Sequence, residues 1–321
     1  MNKINPRILS RLGQSGAIFG MALPEYVSQK EQVKVVSADM SRPAGLERYK
    51  SQYPQNFYNA GIAEQNMMGI AAGLSSEGYK TIAVAQACFI SMRSFEQIRQ
   101  YMGYMQFPII CVGINSGFSL TFFGNTHYAI EDLALMRAIP NMVVLSPSDS
   151  TMAVTLFEKA MECNMPVYIR LLGGLNLPIL YNEQPQVTIG GSMVLREGSD
   201  VTILATGLMV HHALLVAEKL NESGVGTKVV DMYAIKPIDK NIIVNSKQSK
   251  LIVTIEEHNT IGGLGSAVSD VLTEYNMSRR LLRLGIYDQF NSVGDYDFLL
   301  EQNRLTPELI TEDILKALNV C

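Results

Sequence analysis

Only four cysteines occur in 321 residues, Cys88, Cys111, Cys163 and Cys321, and no two share the Cys-x-x-Cys spacing of a zinc or redox motif. Three of them lie in apolar segments, so they read as reduced structural thiols of a cytoplasmic protein and not as a disulfide framework. Basic residues are equally unconcentrated. The 26 Lys and Arg against 30 Asp and Glu leave a net charge of −4, with no Lys/Arg block and no basic stretch interleaved with aromatics, so neither nucleic acid nor an anionic membrane is an expected partner. The start, Met1-Asn2-Lys3-Ile4-Asn5-Pro6, has no apolar core after its charge, and no run approaches the ~20 apolar residues of a spanning helix. Both features disfavour export and membrane insertion. Charge is sparse overall, 17% against 47% apolar residues, a balance that suits a compact chain with an apolar face for another subunit.

What the chain does have is alternation. From about residue 33, β-rich runs at Val33–Val36, Thr81–Val84, Pro108–Gly113, Val143–Leu145 and Val167–Ile169 are separated by helical patterns over roughly 62–77, 91–104, 129–138 and 149–163. Strand and helix in turn predict a mostly parallel sheet covered on both faces. Residues 173–189 break the rhythm with Gly, Pro and polar residues and read as a linker. A second unit follows, with strands at Val201–Ala205, Lys228–Val230 and Leu251–Ile255 between helices near 208–222, 263–275 and 306–318. The expected fold is α/β, two open mostly parallel sheets in series, with one domain over 1–172 and another over 190–321.

Within the helical stretch that runs from Phe57 to Leu74, Glu64 shares a stripe with Met68 and Ala71, so its carboxylate is expected where the apolar face points. Such a group costs several kcal/mol, roughly, unless paired or protonated, which suits it to proton sharing. An acid that merely complements a helix dipole is the plainer reading. Beyond a strand end, where ligands bind in open sheets, His127 precedes a helix opening with Glu131 and Asp132. Its plainer reading is a polar contact. The run from Glu256 to Ser266 has glycines able to cradle an anion at a helix start, though such glycines more often serve geometry alone. Gly190-Gly191 and His211-His212 read as a turn and a solvated helix face.

The run Phe57-Tyr58-Asn59-Ala60-Gly61-Ile62-Ala63-Glu64-Gln65 resembles the glutamate motif of transketolases and deoxyxylulose phosphate synthases, and the likeness extends almost end to end. Ser37-Ala38-Asp39-Met40, Phe95-Glu96-Gln97-Ile98-Arg99, Thr126-His127-Tyr128-Ala129-Ile130-Glu131-Asp132, Ile139-Pro140-Asn141 and Ser146-Pro147-Ser148-Asp149 resemble landmarks of the pyrimidine-binding domain. Asp231–Asp239 and the Glu256–Ser266 cluster resemble its C-terminal domain. The resemblance implies a thiamine diphosphate enzyme in which the carboxyl matching Glu64 hydrogen-bonds N1′ of the aminopyrimidine, so that the imino tautomer removes the thiazolium C2 proton and the ylid attacks a ketone. It further implies that Phe89 packs on the pyrimidine and that Ile62, Gln86 and Met92 border the cofactor. His127, Asn115 and Arg11 are implied on the substrate side.

Family members hold the diphosphate and its divalent ion with a Gly-Asp-Gly motif and a later Asn, and this chain has no Gly-Asp-Gly. The expectation is therefore a split enzyme: a diphosphate-binding partner subunit carries Mg²⁺ or Ca²⁺, and an α2β2 assembly with self-dimerisation of this chain acts on a small-molecule substrate. Departures bear on that substrate. The family's His-Asp-Ser…Gly-Glu-Asp-Gly stretch is replaced by Asn115-Ser116-Gly117 and Phe122-Phe123-Gly124, and its Ser-Arg-Gln by Leu172-Gly173-Gly174, with Arg170 close by. Gln86 and Met92 stand where aromatics are usual. The implied reaction is transfer of a ketol or acyl unit from a ketose or 2-oxo acid to an aldehyde or ketone acceptor other than a standard phosphosugar. Alternatives are a deoxyxylulose-synthase-like or 2-oxoacid decarboxylating subunit, or a non-catalytic regulatory subunit.

Overall fold

Apolar β-branched runs form strands where the alternation predicts them. The computed structural model describes residues 5–27, 32–174 and 176–319; Met1–Ile4, Leu175 and Cys321 lie outside the described residues. The strands are β1 (Val33–Ser37), β2 (Phe57–Asn59), β3 (Lys80–Gln86), β4 (Ile110–Ser116), β5 (Val143–Leu145), β6 (Val167–Leu172), β7 (Met193–Arg196), β8 (Val201–Ala205), β9 (Thr227–Asp231), β10 (Ala234–Lys236), β11 (Leu251–Asn259) and β12 (Leu281–Ile286). They build a seven-stranded sheet in the order β10-β5-β6-β4-β3-β1-β2 and a five-stranded sheet in the order β12-β11-β8-β9-β7. The pairings are parallel apart from β10 with β5 and β7 with β9. β4, β6 and β8 are apolar almost throughout and buried, as strands covered on both faces must be.

Several elements depart from expectation. Phe57–Asn59, read as the start of a helix, is a strand paired in parallel with β1, and the helix begins only at Glu64 (Glu64–Ser76). Gly61, at φ +73°, makes the turn between them. The single helix expected over 91–104 is three pieces, Ala87–Met92, Phe95–Ile98 and a π-helical turn Arg99–Tyr104. The helix expected from 129 starts at Asp132, because Ala129 is held extended against Gly117. Helical segments over Pro6–Val27 carry no signal in the alternation, yet Leu9, Ile18, Phe19 and Leu23 are fully buried, with Phe19 edge-on to Phe157 at 6.2 Å.

Polar groups join the two halves. Arg170, at 2% exposure, donates from Nε to both oxygens of buried Asp132 (3.0 and 3.1 Å), and from Nη2 to the carbonyls of Ala129 (3.1 Å) and Glu257 (2.9 Å). Tyr168 adds a hydroxyl to Asp132 at 2.8 Å. Glu257, from the second half, accepts from the amide of Phe118 (2.6 Å) and the hydroxyl of Tyr296 (2.7 Å). Gly117 sits at φ +61° directly against that carboxylate, where any side chain would collide.

A second tie is Asp231, which accepts from Ser148 (2.5 Å) and Tyr181 (2.8 Å) and whose carboxyl burial pushes up to about 7. Between the ordinary carboxylate range and pH 7 the folded state therefore holds a proton that the unfolded state has released, so Asp231 subtracts stability progressively as pH rises through that window. Asp231→Asn should unfold at higher urea than the parent at pH 8, by roughly 2 kcal/mol, and lose this advantage near pH 4. A pH-independent difference between the two urea curves would overturn this.

Candidate functional site

The candidate site gathers where the loops beyond β2, β3 and β4 meet, at the carboxyl ends of their strands. Glu64 opens its helix, 4% exposed, with Met67, Met68 and Ala71 buried on the same side, which matches the stripe read in the sequence. Asn59 shapes the approach by accepting from the amides of Asp39 (3.1 Å) and Gly61 (3.0 Å). The carboxylate borders a cavity of about 450 Å³ lined by Ile62, Ala63, Gln65, Asn66 and Arg93.

Arg93 is the residue the sequence reading missed. Its Nη1 lies 3.2 Å from each oxygen of Glu64, and its guanidinium carbon stands 3.7 Å from the centre of the Phe89 ring. Phe89 in turn meets His127 edge-on at 5.1 Å, and Phe123 lies at 4.8 Å from the imidazole on another side. Glu64, Arg93, Phe89 and His127 thus form one continuous contact chain. The available signal was the Phe89-x-x-x-Arg93 spacing, which stacks two side chains on one helical face.

The other expected site residues are distributed more loosely. Asn115, in the left-handed region at φ 55°, donates to Gln86 Oε1 at 3.2 Å, so these two are joined at the ends of β4 and β3. Ile62, 74% exposed, lines the cavity beside Glu64, and Met92, 44% exposed, ends the helix that carries Phe89. His127 shares a 2.9 Å hydrogen bond between Nδ1 and Thr126 Oγ1. Arg11 is exposed on the helix Pro6–Gly16 and, among the described residues, shares no hydrogen bond or ion pair with Glu64, His127 or Asn115.

Three further sequence readings are resolved. Arg170 is buried, with its Nε engaged by Asp132 and its Nη2 by two carbonyls, so these groups are committed to the fold. At the Glu256 cluster the helix-start amides of Leu264 (2.6 Å) and Gly265 (2.8 Å) are already taken by the Glu256 carboxylate, so its glycines serve geometry. His211-His212 is not a solvated face: both rings are partly buried, His212 bonds the Leu305 carbonyl at 3.0 Å, and both line a cavity of about 420 Å³ with Leu172, Leu208 and Tyr296. Burial also pushes the Cys88 thiol up to about 12, which keeps it inert.

Beside the loop that carries His127 the surface is apolar. Phe122, Phe123, Phe290 and Val293 are 73%, 62%, 83% and 56% exposed, and reciprocal hydrogen bonds between Asn125 and Asn291 (2.8 and 3.0 Å) fasten their two loops together. Among the described residues no helix is long and apolar enough to cross a membrane, so this patch is not part of a spanning helix.

Comparison with known proteins agrees with this geometry. Residues 14–175 match the pyrimidine binding domain of transketolase, and residues 190–310 match the transketolase C-terminal domain. A putative transketolase C-terminal section of Methanocaldococcus jannaschii is 37% identical over 302 residues, covering 94% of this chain and 95% of that one. A 6-deoxy-6-sulfo-D-fructose transketolase subunit of Clostridium sp. (strain MSTE9) is 37% identical over 289 residues, 90% of this chain and 89% of that one. Among solved structures, a split gene transketolase described as an inactive β4 tetramer superposes with a TM-score of 0.86 at 37% identity, covering 95% of this chain and 98% of that one. From the buried glutamate to the second sheet, the chain belongs to the transketolase family and consists of its pyrimidine-binding and C-terminal sections.

Proposed function

We propose that this chain is the pyrimidine-binding subunit of a two-component, thiamine diphosphate-dependent transketolase. The observation that carries the reading is the Glu64 carboxylate, buried yet open to a cavity, linked through Arg93 to the Phe89 ring and through that ring to His127. That set fits an aminopyrimidine, which needs an acid to share a proton with its ring nitrogen and an aromatic face to lie on. When bound, thiamine diphosphate supplies the carbanion chemistry that breaks and remakes a carbon–carbon bond. Glu64 would hold the shared proton, Phe89 would support the ring, and His127, with Asn115 and Gln86, would orient the substrate oxygen atoms. Ile62 and Met92 would close the cofactor's edge against water, and Arg11 is left without a role in this reading.

Diphosphate and its Mg²⁺ or Ca²⁺ are assigned to a partner subunit bearing Gly-Asp-Gly, and the exposed phenylalanines beside the His127 loop suit an apolar contact between chains in an α2β2 assembly. Engagement of Arg170 Nε and Nη2 within the fold, with Leu172-Gly173-Gly174 beyond it, favours acceptors lacking a terminal phosphate. A relative named for a sulfonated sugar supports such latitude in the split branch.

The test is reconstitution. The purified chain with thiamine diphosphate and Mg²⁺ should give no turnover, and addition of the Gly-Asp-Gly polypeptide should restore ketol transfer, more efficiently with an unphosphorylated acceptor than with ribose 5-phosphate. Robust turnover by this chain alone, or none by the mixture with any ketose donor, would refute the reading.

A further inference from the structure

We propose that Arg93 is a built-in competitor for the aminopyrimidine and thereby sets how tightly the assembled enzyme holds its cofactor. The inference rests on the reading of Glu64 and Phe89 as the pyrimidine contacts. Arg93 engages both at once: its Nη1 reaches the two Glu64 oxygens, and its guanidinium carbon stands over the Phe89 ring, 3.7 Å from the ring centre. A guanidinium is flat, carries N–H donors in its plane and stacks on aromatic rings, so it duplicates the two interactions an aminopyrimidine would use. One carboxylate and one ring face do not serve both groups in the same geometry.

The balance between them follows from exposure. Glu64 is buried while the Arg93 side chain is 48% exposed, so the arginine can swing to water and be solvated at little cost. Its hydrogen bonds, at 3.2 Å, are also longer than the roughly 2.7–2.9 Å of a tight charge-assisted contact. Arg93 is therefore a displaceable occupant, one that keeps a buried carboxylate compensated until the heterocycle arrives.

The experiment is equilibrium dialysis of thiamine diphosphate against the complex with the Gly-Asp-Gly polypeptide and Mg²⁺, for the parent, Arg93→Met and Arg93→Lys. Methionine keeps the stem and loses the competing head; lysine keeps the charge and loses the flat face. Arg93→Met should bind about three- to tenfold more tightly, as expected for loss of a half-exposed ion pair with a cation–π contact, and Arg93→Lys should fall between. The thermal unfolding midpoint of the cofactor-free chain should fall only slightly, as for loss of a half-exposed pair, a change opposite in sign to the gain in cofactor binding, which separates the effect from a structural one. Equal or weaker binding by Arg93→Met, with the parent complex binding normally, would overturn the competitor role. If the parent complex takes up no thiamine diphosphate, the underlying reading of the site fails, and the proposal with it.

Discussion

Glu64→Gln in the reconstituted enzyme is expected to lower turnover by about a hundred- to ten-thousandfold, the range associated with losing a positioned proton-transfer group. Glutamine preserves the shape and hydrogen-bonding reach of the side chain but cannot share a proton, so packing against Met67, Met68 and Ala71 is retained while the chemistry is not. The unfolding midpoint should therefore stay near that of the parent. Steady-state kinetics and a thermal melt, taken on the same preparation, check both halves of the expectation. Near-normal turnover in Glu64→Gln would remove this residue from the centre of the mechanism, whatever the fold.

Arg170→Met should destabilise the chain by about 3–5 kcal/mol, the cost of leaving a buried charge without its partner. Asp132 has no exposure and among the described residues would keep only Tyr168, while the carbonyls of Ala129 and Glu257 would each lose a donor. Because those carbonyls belong to different halves of the chain, the loss should also loosen the segment 126–132 that carries His127. Combining Arg170→Met with Asp132→Leu should recover part of the stability, since of the two buried carboxylates that Arg170 balances only Glu257 then lacks its cation. Urea unfolding of the two variants separates these terms. A single variant within 1 kcal/mol of the parent, roughly a surface-pair effect, would show that the pair is not buried in solution.

Sequence periodicity reported the central strands well because each is an apolar run between helices, and such runs have one stable placement. It failed where elements are too short for a period to show. β2 and β10 span three residues each, and β10 is recruited by an edge strand of the other sequence domain. Helical segments over Pro6–Val27 were hidden by Gly13, Gly16 and Gly20, although packing against Phe157 decides their position. At the site, Glu64 was legible as an acid on an apolar stripe, and Phe89 and His127 through family motifs. Arg93 was not, because its importance lies in a contact with Glu64 across 29 residues of sequence that no local pattern encodes.

β10 pairs antiparallel with β5, matching Ala234 to Leu145 and Lys236 to Val144, while Lys236 Nζ reaches the carbonyls of Arg137 (2.8 Å) and Ile139 (2.5 Å). A gene fragment stopping at residue 189 would strip that cover and leave the β5 backbone as a bare hydrogen-bonding edge, ready to recruit strands from neighbouring molecules. Natural recombination or laboratory shuffling of these two sections should thus favour exchanging them together, since what divides them in the linear chain is bridged by the outermost ribbon of the larger sheet.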